Sequence, residues 1–88
     1  MHTTIHTKVS NRLKRIEGQV RGLHRMVDEQ KYCIDIITQS SAIRNALASV
    51  EDLMLQNHLR EHVTHQMKHG KEKLAAEEIL KVYKLKRK

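Results

Sequence analysis

The sequence has no Pro, no Trp and no Phe, and among its 88 residues there are only three Gly and one Cys. Tyr32 and Tyr83 are the only aromatic residues. Binders of single-stranded nucleic acid stack bases on aromatic platforms, so that class is disfavoured. A lone Cys33 cannot close an internal disulfide; it fits a reducing cytoplasm and leaves a thiol free for metal or redox chemistry. No apolar run approaches the ~20 residues that span a bilayer. Residues Met1 to Ser10 carry no apolar core of a secretory signal, so neither a membrane protein nor an exported one is expected. No Gly/Ser-rich linker interrupts the chain, and its length suits one domain over residues 1–88. At 39% apolar residues it is too hydrophobic to be disordered, although the mean hydropathy is −0.64.

What the chain does have is positive charge at both ends. Seventeen Lys and Arg against ten Asp and Glu give a net charge of +7. Residues 1–31 hold seven basic and three acidic groups, residues 32–69 three and four, and residues 70–88 seven and three, so the ends are each +4 and the middle −1. Such a distribution suits a polyanion such as duplex DNA. The plainer explanation is a solubilising surface, and charge alone does not choose between them.

Hydrophobic spacing predicts three helices and no strands. Val9, Leu13, Ile16, Val20, Leu23 and Val27 recur at a 4-3-4-3-4 spacing, the seam of a helix packed on another helix. Thr7 or Ser10 is positioned to cap it. Gly18 and Gly22 lie inside at a cost of roughly 1 kcal/mol each against Ala, and their i, i+4 spacing points to a close backbone approach. Asp28 to Lys31 reads as a polar connection. A second helix, from about residue 33 to 69, has Ile36, Ser40, Ile43, Leu47, Val50 and Met54 on one seam and Ala42, Ala46 and Leu53 on the next. It would be roughly 55 Å long, against a radius of gyration of about 12 Å for a compact chain of this size. Two shorter helices cannot cover such a rod, so an obligate oligomer, an antiparallel helix bundle, is expected. After Gly70 a third helix carries Leu74, Ile79, Val82 and Leu85, with a basic tail from Lys84.

His58, His62, His65 and His69 fall at i, i+4, i+7 and i+11, one face of the second helix. An i, i+4 His pair presents two imidazoles to one ion; the bland alternative is a polar face that happens to be His-rich. Cys33, which by itself is more often a small buried hydrophobe, opens the same helix. His58 follows 25 residues later, roughly 37 Å along a continuous axis. One chain cannot bring both to one ion, but two antiparallel copies can, with Cys33 from one and His58 and His62 from the other. No nucleophile elbow, phosphate loop or HExxH motif is present, and His24 beside Arg21 and Arg25 reads as a solvated residue, so an enzyme is not expected.

The segments RLKRIEGQVRG (Arg12–Gly22), KYCIDIITQSSAIRNAL (Lys31–Leu47) and QNHLREHVTHQMKH (Gln56–His69) together resemble the copper-sensitive operon repressor family of bacterial metal and stress sensors. The resemblance covers nearly the whole chain. It implies an all-α protein with three helices per chain, an antiparallel four-helix-bundle dimer that assembles into a dimer of dimers. It implies a cytoplasmic repressor that binds double-stranded operator DNA in the apo form and lets go when its inducer binds. The family has no ordinary helix-turn-helix; basic residues of the first two helices face the DNA. Arg12, Lys14, Arg15, Arg21 and Arg44 are the candidates here.

Within that family the ligand positions discriminate. Persulfide sensors carry a second Cys where this chain has His58, and formaldehyde sensors a Pro where it has His2. Copper sensors have Cys, His, Cys; nickel and cobalt sensors have Cys, His, His with an N-terminal His. Cys33, His58 and His62 follow the second pattern, with His2, His6 and His65 as further candidate ligands. Residues around the ligands point the other way: copper sensors place a Tyr before the Cys and a Glu on the third helix, as Tyr32 and Glu78 stand here. An outer carboxylate fixes the tautomer of a ligating imidazole, although Tyr32 as a packing residue and Glu78 as a solvated charge would serve equally for a bare helix bundle. Cu(I) favours thiolate and accepts imidazole at low coordination number, whereas Ni(II) and Co(II) want more nitrogen and oxygen. The reading is Cu(I), with Ni(II) or Co(II) as the alternative. A small copper chaperone or storage protein is the alternative of a different class.

Overall fold

The computed structural model describes residues 3–87. Every regular element among them is helical: α1 (Thr3–Asp28), α2 (Cys33–Asn57), a π-helical turn (His58–Val63), α3 (Thr64–Lys68) and α4 (Glu72–Lys86). α2, the π turn and α3 follow one another without a break, so the chain comprises three helical stretches, and the expected all-α class holds. Among the described residues no helix is long and apolar enough to cross a membrane.

The two connections use the same device. After α1, the Gln30 N–H donates to the Val27 carbonyl (3.0 Å) and the Lys31 N–H to the Met26 carbonyl (2.9 Å). After α3, the Gly70 N–H reaches the Met67 carbonyl (3.5 Å) and the Lys71 N–H the Gln66 carbonyl (2.7 Å). Both are Schellman closures, which need a residue of positive φ just past the helix. Gly70 supplies it at φ 71°, whereas the first closure forces Gln30 to φ 55°. Only the glycine was visible in the sequence as a helix stop.

Contacts divide the chain into two compact units, Met1–Leu55 and Gln56–Lys88. In the first, Ile16, Ile43 and Val50 form the buried core, with Val9, Leu23 and Ala46 packed on it. The seam of α1 is therefore used in alternate places. Val9, Ile16 and Leu23, seven apart, meet α2, while Leu13, Val20 and Val27 of the same seam remain 38%, 48% and 52% exposed. α1 also starts earlier than its apolar pattern indicates. Thr7 and Ser10 are not caps: the helix already runs from Thr3, and the Thr7 hydroxyl donates back to the Thr3 carbonyl at 3.1 Å. Nor do Gly18 and Gly22 mark a close approach within the chain. A Cβ on Gly18 would meet only an Arg21 guanidinium nitrogen at 3.6 Å, and one on Gly22 would meet nothing within 4 Å.

In the second unit the buried residues are Asn57 and Ala75. Leu74, Ile79 and Leu85, expected on the covered face of the last helix, are exposed, and Val82 is half-buried. The small Ala75 is the α4 side chain that closes against the unit, because a methyl fits where a larger residue would hold the helices apart.

Candidate metal centre and nucleic-acid surface

The long helix is not α-helical where its ligand candidates lie. From His58 to Val63 it is wound as a π-helix, with hydrogen bonds that reach one residue further than in an α-helix. The Thr64 hydroxyl adds a bond to the Leu59 carbonyl at 3.4 Å. π turns are rare and concentrate at functional sites. The extra residue in the turn rotates everything after it by about 100° from where α winding would put it. Ring contacts group the four histidines of the predicted stripe into two pairs. His58 and His62 stack with ring centres 5.4 Å apart and planes 24° apart. His65 and His69 form a second, closer pair at 4.1 Å.

Glu78 on α4 stands against the first pair. Its Oε2 lies 3.3 Å from His58 Nε2, and its Oε1 accepts a 3.1 Å hydrogen bond from Gln66 Nε2 on α3. Each carboxylate oxygen thus has its own partner, and the side chain joins α4 to the π turn and α3. His58 Nε2 is buried, and its approach to Glu78 lacks the angle of a full hydrogen bond. A proton on Nε2 is what a carboxylate partner favours, and it leaves Nδ1 as the nitrogen with a lone pair to give. His62 is exposed. Gln66, which the sequence reading missed, holds the far oxygen of Glu78; its three-residue offset from Val63 and four-residue offset from His62 place it on the adjoining helix face.

Cys33 and Tyr32 belong to the first unit. Cys33 is exposed, with a free thiol, at the first position of α2. The Tyr32 side chain is 69% exposed, and its backbone carbonyl accepts from the Asp35 and Ile36 N–H groups, which starts the helix. Among the described residues no three His, Cys, Asp or Glu side chains of one chain converge. His6 is exposed near the start of α1, and His2 lies outside the described residues. A thiol and imidazoles are each donors that suit a soft or borderline metal ion.

The five basic candidates all belong to the first unit and are exposed. Arg12 is held rather than loose: its Nη1 donates to the Ser49 hydroxyl of α2 at 2.8 Å. Lys14 and Arg21, seven apart, lie on the side of α1 away from the Val9–Ile16–Leu23 core. Arg25, one turn beyond Arg21, shares that side and was passed over in the sequence as a solvated neighbour of His24. Arg12 and Arg15 lie on the flank, so the basic groups wrap around α1 instead of forming one line.

The model of the family described as metal-sensitive transcriptional repressor matches residues 5–85. This chain belongs to that family. Among its relatives, the copper-sensing transcriptional repressor CsoR of Bacillus subtilis (strain 168) is 43% identical over 77 residues, covering 88% of this chain and 76% of the relative. The copper-sensing repressor CsoR from Geobacillus thermodenitrificans NG80-2, solved with Cu(I), is 38% identical with a TM-score of 0.93, over 100% of this chain and 92% of that one. The nickel-responsive transcriptional regulator InrS is 35% identical with a TM-score of 0.77, over 89% of this chain and 88% of its own. A metal-sensitive repressor needs both a surface for DNA and a metal site that alters it; the basic first unit and the His58–Glu78 cluster are the candidates for these roles.

Proposed function

We propose that this chain is a Cu(I)-responsive transcriptional repressor of the cytoplasm, acting as one sensing and DNA-binding domain over residues 1–88. The apo form binds double-stranded operator DNA, and Cu(I) releases it. The observation that supports the reading is the placement of Glu78 Oε2 3.3 Å from His58 Nε2, a position from which a carboxylate favours the proton on Nε2 and leaves Nδ1 for a ligand. Cys33 of one subunit with His58 and His62 of a second would hold the ion. Bound Cu(I) would supply a soft cation that favours a thiolate and tolerates imidazole at low coordination number. Exposure of Leu13, Val20 and Val27 on α1 supports the oligomer, since an apolar stripe of this length calls for a second helix. An antiparallel pair, assembling further into a dimer of dimers, would bring Cys33 to the His58 end of its neighbour.

Cys33, His58 and His62 meet in only one arrangement of that dimer, so a ligand they share selects it. If that arrangement fits DNA poorly, affinity for DNA falls by the ligand's preference between the two arrangements, typically 1–3 kcal/mol, and affinity for the ligand falls equally on DNA. Arg12, Lys14, Arg15, Arg21 and Arg44 would contact DNA, chiefly through phosphates.

Likeness to a nickel-responsive regulator, together with His62 in place of a second thiol, favours Ni(II) or Co(II) as the second reading, with His2, His6 or His65 completing the ligands. The test is release of the apo protein from its own promoter fragment by each metal, for wild type and Cys33→Ala. Cys33→Ala should bind the fragment normally and stay bound in Cu(I). Release of wild type by Ni(II) but not by Cu(I) would shift the assignment to the second reading, and a protein that binds Cu(I) tightly yet ignores the DNA would be a carrier or store.

A further inference from the structure

The His65–His69 pair lies beyond the π turn and outside the His58–Glu78 cluster. Its rings are 4.1 Å apart between centres and inclined by 30°. His69 Nδ1 is 2.8 Å from the backbone carbonyl of His65. A carbonyl oxygen only accepts, so Nδ1 carries the proton and Nε2 of His69 carries the lone pair. An N–H donated to a backbone carbonyl is the usual support of a metal-binding imidazole, because it sets both tautomer and ring orientation. Both residues are exposed, so their nitrogens are within reach of an ion from solvent.

We propose that His65 and His69 form a second metal site, an open two-imidazole chelate for a borderline divalent cation such as Cu(II), Ni(II) or Zn(II), separate from the Cys33, His58 and His62 set. Two imidazoles that bind one ion at right angles, with nitrogen–metal bonds of about 2.1 Å, place their ring centres roughly 4.5 Å apart. The observed separation needs only a slight opening. In this site His65 is paired with His69, whose ring it meets at 4.1 Å. Water would fill the remaining positions, so the site selects for metals at home with nitrogen and oxygen rather than for Cu(I). Lys68, Lys71 and Lys73 close by in sequence oppose a cation, which keeps the site weaker than one with a thiolate.

This inference does not depend on the proposed function, and its test removes the thiol. In full-length Cys33→Ala, His2→Ala protein, Cu(II) is titrated and followed by calorimetry and electron paramagnetic resonance. One Cu(II) per chain with nitrogen hyperfine structure is expected. Adding His65→Gln or His69→Gln should each weaken binding at least tenfold, with an unchanged circular dichroism spectrum. His62→Gln in the same background should change it by less than threefold. Equal weakening by His62→Gln, or no weakening by either of the other two, overturns the assignment.

Discussion

Replacement of Glu78 by Gln tests the second unit most directly, because the two side chains have nearly the same shape and differ in what they offer His58. The carboxylate accepts from Gln66 through Oε1 at 3.1 Å and faces His58 Nε2 with Oε2 at 3.3 Å. An amide can keep the Gln66 bond through its oxygen, but it then turns its NH2 group toward His58. Two donors cannot face each other, so the proton moves from Nε2 to Nδ1 and blocks the nitrogen that the metal would use. Loss of such an outer partner costs 10–100-fold in metal affinity. Side-chain exposures of 26% for His58 and 39% for Glu78 place this pair partly in solvent, where water can take over some of the role. The expectation is therefore the lower end, about tenfold, or ~1.4 kcal/mol. Competition against a chromophoric Cu(I) chelator measures it on wild type and Glu78→Gln in parallel. Glu78→Ala leaves room for water beside Nε2; it should keep more of the metal affinity than Glu78→Gln while losing part of the release from DNA. Affinity for Cu(I) within threefold of wild type in Glu78→Gln would show that Glu78 does not set the His58 tautomer. The argument for Cu(I) would then rest on Cys33 alone.

Val20→Asp should dissociate the oligomer while leaving the chain helical: about 75 Å² of Val20 surface awaits cover, worth ~2 kcal/mol per copy before the added charge is counted, and sedimentation at micromolar concentration reads the result. An unchanged mass would place the interface elsewhere. Arg15→Ala should weaken DNA binding evenly across sequences and reduce the slope of log affinity against log salt by about one; a sequence-dependent loss would mean a base contact instead. Gln30→Gly should raise stability toward denaturant by ~1 kcal/mol, since a non-glycine residue at φ 55° costs roughly 1–2 kcal/mol, partly offset by the freedom glycine gains in the unfolded chain. No change in the denaturation midpoint would mean that Gln30 is not strained.

Helix content, the stop at Gly70 and the apolar seam of α1 could all be read from residue types and spacing, because they depend on local periodicity and on one residue's backbone freedom. The π turn could not. Its six residues, HLREHV, carry no local signature that separates π from α winding. Nor does a regular i, i+4, i+7, i+11 pattern show which rings meet: they do so as two pairs, His58 with His62 and His65 with His69. Likewise the seam of α1 showed which residues are apolar, but not that only every second one meets α2. Gln30 was missed for a related reason. The hydrogen bonds that close the helix impose its conformation, and its own side chain gives no warning.

His58 and His62, the proposed ligand pair, lie on a π turn. In an α-helix each backbone N–H is tied to the carbonyl four residues before it. The π turn already departs from that ladder, and its carbonyls are held by longer-range bonds and by the Thr64 hydroxyl. Glu78 accepts from Gln66 of α3 and faces His58 of the π turn, so it stands between α4 and both. Any ligand that draws on His58 pulls on the same carboxylate. A shift of that ring reaches α4 directly, without a path through the buried core of Ile16, Ile43 and Val50.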